Sequence, residues 1–180
     1  MKRRAAIRSL FIIAGGIAIL PSCSEQAGKA SIQLHNIDIT DLQENLLAEI
    51  TETILPKTKT PGAKDLKLHL FVLKMVDDCH NKADQDAFVK GLEGIDTQAK
   101  EMFSKEFKAL SSEQRIRLLE QVASSAKESD RQRFYNITKR RTIQGYLNSQ
   151  YVMKDLKQYE LIPGRYNGYA KVKESTDKLS

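Results

Sequence analysis

Asp77-Asp78-Cys79-His80 sets two carboxylates, a thiol and an imidazole in consecutive positions, the side chains that ligate zinc or, with a base beside the thiol, form a covalent intermediate. Neighbours on a helix point in different directions, so four consecutive residues converge poorly on one ion unless the helix ends there. A cysteine nucleophile further needs an activating base and an electropositive setting, and nothing in the sequence brings His35 or His69 to Cys79. The expectation is that Cys79 packs as a small apolar residue while Asp77, Asp78 and His80 face water. No catalytic, cofactor-binding or metal-binding residue is expected in this chain.

Cys23 offers a different chemistry, acylation of its thiol. Met1-Lys2-Arg3-Arg4 and Arg8 form a cationic head, an acid-free apolar run follows from Leu10 to Leu20, and Leu20-Pro21-Ser22-Cys23 closes it. The run is too short to span a membrane and reads as an export signal. Leucine three residues and serine one residue before cysteine resemble a bacterial lipobox, in which the cysteine is lipidated and becomes the new N-terminus. The alternative is ordinary secretory cleavage near Ser22. Arg3 and Arg4 are the signal pair that suggests the twin-arginine route, which a plain Sec signal would also satisfy. The expected product is an exported chain, lipid-anchored to the cell membrane or outer membrane and facing the periplasm.

Other chemistries lack their residues. A Rossmann dinucleotide site needs a glycine-rich turn that lets backbone approach the pyrophosphate, and no G-x-G-x-x-G occurs. Covalent haem needs C-x-x-C-H and iron–sulfur clusters need several cysteines, whereas this chain has 2. No G-x-S-x-G elbow supports a serine hydrolase. The formal net charge of +6 owes four units to Lys2, Arg3, Arg4 and Arg8, with no acid among residues 1–22, so the remainder carries only +2. No nucleic-acid partner is expected, and Lys139-Arg140-Arg141 reads as a solvated helix face.

The elements that must position these residues are helical. Thr40 or Asp41 caps a run of Leu42, Leu46, Leu47, Ile50 and Ile54 at three- and four-residue spacings, which Pro56 ends. Pro61-Gly62 occupies the centre of a turn, with glycine free to take a positive φ. Leu66 to Val76 alternates like a strand at its start but steps like a helix through Leu70, Leu73 and Met75, and the helix is preferred. Helical spacing continues from Phe88 to Phe103 through Gly91 and Gly94. Ser111 with Gln114 forms a capping box, and Phe134 to Tyr146 forms a last helix. Beyond Leu156 the pattern fails, and Tyr159, Arg165, Tyr166 and Tyr169 are interleaved with Pro163, Gly164 and Gly168. The fold class is all-α: one compact helical domain with a non-helical C-terminal arm, preceded by a lipoprotein signal peptide. Residues 1–22 are the signal, 23–39 the lipidated cysteine and tether, and 40–180 the helical domain.

Ile54-Leu55-Pro56, Thr58, Thr60-Pro61-Gly62-Ala63, Asp78-Cys79, Gly145-Tyr146 with Ser149, and Pro163-Gly164, Tyr166 and Gly168 together resemble the gluconate 2-dehydrogenase subunit 3 family, from about Leu42 to Gly168. The resemblance implies a small exported subunit that escorts a large subunit of the FAD-dependent glucose-methanol-choline type. That large subunit would be a sugar or polyol dehydrogenase, often with a cytochrome c, and hence haem c, in a further subunit. It implies no cofactor in this chain. The tyrosine- and arginine-rich segment suits an interface, so Tyr146, Tyr159, Arg165, Tyr166 and Tyr169 are the candidate partner-binding residues. The alternative is a structural or binding lipoprotein of the cell envelope with no oxidoreductase partner.

Overall fold

A computed structural model describes residues 28–127 and 129–157, together with Tyr159, Ile162, Gly164 and Tyr169. Among the described residues five α-helices follow one another: α1 Asp41–Ile54, α2 Leu68–Cys79, α3 Lys82–Phe103, α4 Ser112–Ala123 and α5 Asp130–Leu147. A 3₁₀ turn at Phe107–Ala109 precedes α4, and a π-helical segment, Tyr151–Leu156, follows α5. Among the described residues there is no strand, only an isolated antiparallel bridge between Lys29 and Thr40.

The helix ends follow from local chemistry. Thr40 Oγ1 accepts from Gln43 N–H at 3.2 Å while Gln43 Oε1 accepts from Thr40 N–H at 2.9 Å, so two orphan donors at the start of α1 are satisfied reciprocally. Ser111 and Gln114 repeat the device on α4. Asn81 and Ser129 cap α3 and α5 with a single side-chain oxygen each.

α5 is the central helix, packed most extensively on α3 and then on α2, with α4 and α1 closing the bundle. Its inward face presents Phe134, Ile137, Thr138, Thr142 and Gly145. Phe134 meets Phe88 of α3 with ring centroids 5.2 Å apart and tilted by 51°, an arrangement aromatic pairs favour. Gly91 makes this approach possible: a Cβ there would lie 2.3 Å from the Phe134 Cβ. Gly145 does the same for α2, where a Cβ would sit 2.7 Å from the Phe71 ring.

Two sequence expectations are corrected. No described glycine has a positive φ. Gly62 is needed for space instead, since a Cβ would fall 2.6 Å from both Glu52 Oε1 and the Lys57 nitrogen. Glu52 accepts from the Lys57 and Lys64 amides and so clasps both sides of this loop. Second, the stretch expected as a tether is docked from Gly28 onward. Ile37 and Ile39 are buried in the core, the Ala30 amide donates to the Ile39 carbonyl at 3.0 Å, and the Ser31 amide donates to Glu44 at 2.7 Å. The apolar side chains of this strap outweigh its polar, loop-like composition.

Candidate functional site

The cluster at the α2–α3 junction is built inside out relative to expectation. Asp77 is buried and Cys79 is exposed. Asp77 Oδ1 accepts from the backbone amides of His35, Asn36 and Ile37 at 3.0, 2.6 and 3.1 Å. The strap therefore wraps its amides around one carboxylate, and Asn36 Nδ2 returns a bond to the Asp77 carbonyl at 2.9 Å. Burial alone would raise the Asp77 pKa, but the three amides and Lys74 more than offset it and hold the carboxyl below its ordinary value.

His80 is also turned inward, with its side chain 4% exposed. Its Nε2 accepts from Arg141 Nε at 3.2 Å and from the other guanidinium nitrogen at 3.0 Å, so the ring proton sits on Nδ1, which faces Asp84 Oδ2 at 3.4 Å. Arg133 reaches the other Asp84 oxygen at 3.5 Å, and Arg141 also donates to Gln144 at 2.7 Å. These side chains tie α5 to the α2–α3 corner. With Nε2 occupied by a guanidinium and Nδ1 directed at a carboxylate, His80 has no free nitrogen to serve as a base for Cys79. Asp78 is exposed and pairs with Lys74 at 3.2 Å. Among the described residues no group of three or more His, Cys, Asp or Glu converges in a way that could hold a metal ion.

The expected partner-binding residues lie elsewhere, at the far end of α5. Tyr146 is half-buried and its ring sits 6.4 Å from that of Tyr151. Lys157 N–H bonds to the Val152 carbonyl at 2.9 Å, a five-residue step that widens the turn, and Tyr159 N–H bonds to the Met153 carbonyl at 2.7 Å. Tyr159 is 51% exposed, Ile162 82% and Tyr169 97%. Arg165 and Tyr166 lie outside the described residues, as do Cys23, Arg3 and Arg4. Ile143 and Leu147, which the sequence reading did not single out, are exposed on the last two turns of α5 beside Tyr146. Their four-residue spacing, out of phase with Phe134 and Thr138, was the available signal.

No helix among the described residues is long and apolar enough to cross a membrane. Neither the curated proteins nor the solved structures contain a match to the chain. Residues 41–164 match the family described as gluconate 2-dehydrogenase subunit 3. That match runs from the first residue of α1 through the start of the C-terminal arm, and the chain therefore belongs to the gluconate 2-dehydrogenase subunit 3 family.

Proposed function

We propose that this chain is a non-catalytic accessory subunit that binds an FAD-dependent dehydrogenase of the glucose-methanol-choline type and escorts it during export. It then holds the flavoprotein at the membrane through a lipid on Cys23. The flavin, and any haem c of an accepting cytochrome, reside on the other subunits. The observation that supports this reading is that the main hydrophobic cluster, which runs from Ile37 to Ile137, is followed by a segment in which Val152 is buried but Ile143, Leu147, Leu156, Tyr159 and Ile162 are exposed. Exposed apolar and tyrosine side chains concentrated at one end of a packed helical domain are what a binding module needs and a lone enzyme does not.

The test is purification of the full-length chain from membranes. A flavoprotein is expected to accompany it in fixed ratio, and the chain separated from that partner should show no visible absorbance. Flavin at one equivalent on the isolated chain, or no flavoprotein in the complex, would contradict the proposal. Cys23→Ala is expected to release the chain from the membrane fraction, and intact mass spectrometry checks whether acyl mass is present on the wild type and lost in the variant.

A further inference from the structure

Arg133, Asn136, Arg140, Ile143 and Leu147 follow one another at spacings of three, four, three and four, so they form a single stripe along α5, on the side away from Phe134 and Thr138. From Asn136 to Leu147 it runs about 16 Å. Its first half is cationic and opens into a cleft of about 340 Å³ lined by Lys127, Arg133, Asn136 and Arg140 together with the acid Asp84. Its second half is apolar, with Ile143 41% and Leu147 48% exposed. Arg140 and Lys127 make no ion pair among the described residues, and Arg133 reaches Asp84 only at 3.5 Å.

The charge of the chain is sorted in the same sense. Residues 124–157 hold eight Lys and Arg against three Asp and Glu, net +5, whereas residues 23–123 hold thirteen against seventeen, net −4. Arg140 and Lys127, left unpaired on a chain whose residues 23–123 carry surplus acid, are placed for a negative partner beside the Arg133–Asp84 pair.

We infer that this stripe docks an acidic amphipathic helix of the dehydrogenase partner, with carboxylates over Arg133 and Arg140 and apolar side chains on Ile143 and Leu147. The inference rests on the accessory role proposed above. Spacings of three and four are those with which one helix seats another. A second copy of the chain would set the same arginines against each other. A membrane-parallel helix would need apolar residues along the length of one face, whereas here cations and apolar residues divide the stripe end to end.

The experiment places the photoreactive residue p-benzoylphenylalanine at Ile143 of the full-length chain, with Ile116, exposed on α4, as the control position. The expected adduct is a helical peptide of the flavoprotein with carboxylates one or two turns from the crosslink. Arg140→Glu should lower its yield at least about tenfold, with thermal unfolding of the chain unchanged. Co-purification of the flavoprotein with crosslinks from position 116 alone, or adducts from position 143 to lipid or to a second copy, would overturn the inference and leave the accessory role standing. An adduct to an acidic helix of a protein without flavin would do the reverse, keeping the surface and removing the proposed partner.

Discussion

Asp77 shows how a single side chain organises what the sequence disguises as a linker. Its carboxylate satisfies three amides of the strap at once, so Asp77→Ala leaves three donors without an acceptor and should cost on the order of 3 kcal/mol. Asp77→Asn keeps an acceptor oxygen and should cost less. The carboxyl pKa is lower in the folded chain than its ordinary value near 4. Its contribution is therefore complete above about pH 4 and is lost as pH falls through the folded value. Urea titrations across acid pH should show wild-type stability dropping in that window and a shallower drop for Asp77→Asn, while equal slopes would remove Asp77 as the cause. Residue type suggested that Asp77 and His80 face water, yet helical register says otherwise: Leu73, Val76, Asp77 and His80 lie at three- and four-residue spacings on one side of α2, and Cys79 falls off it. Register decides orientation, and buried hydrogen-bond partners then make the polar residues tolerable. Those partners come from the strap and α5, forty to sixty residues away in the chain, where local sequence patterns do not reach.

The helices themselves were legible because their caps and periodicities are local. A cap at Thr40 or Asp41, the Ser111–Gln114 box and Pro56 mark ends where the structure has them, with Thr40 taking the cap. What the sequence left ambiguous were the glycines of α3, because a glycine within a helix weakens it unless close packing requires it. Gly91 and Gly94 separate these cases. A Cβ at Gly91 would lie 2.3 Å from the Phe134 Cβ and 3.1 Å from the Asp130 carbonyl, so Gly91→Ala must push α5 away. It should destabilise by about 2 kcal/mol, since overpacking exceeds the propensity gain. At Gly94 nothing lies within 4 Å, and Gly94→Ala should stabilise by about 1 kcal/mol. Thermal unfolding of the two variants should shift in opposite directions, and shifts of the same sign would contradict the α3–α5 packing described above.

At the scale of the whole molecule, a packed helical body is followed, from Ile143 onward, by an end that contributes Gly145 and Val152 to the interior but leaves Ile143, Leu147, Leu156, Tyr159 and Ile162 uncovered. The family match, residues 41–164, covers the body and the first part of that end, and the family is that of a dehydrogenase subunit. On the proposed reading the body holds the fold and the end recruits the partner. Truncation before Ile162 tests it most directly, by comparing thermal unfolding and flavoprotein capture for the shortened and full-length chains. The expected result is an unchanged unfolding temperature with capture weakened by on the order of 2 kcal/mol or more, the scale of a lost interface anchor. A truncated chain that no longer folds cooperatively, while its surviving folded fraction captures flavoprotein as well as the full-length chain, would contradict it and move the arm into the core.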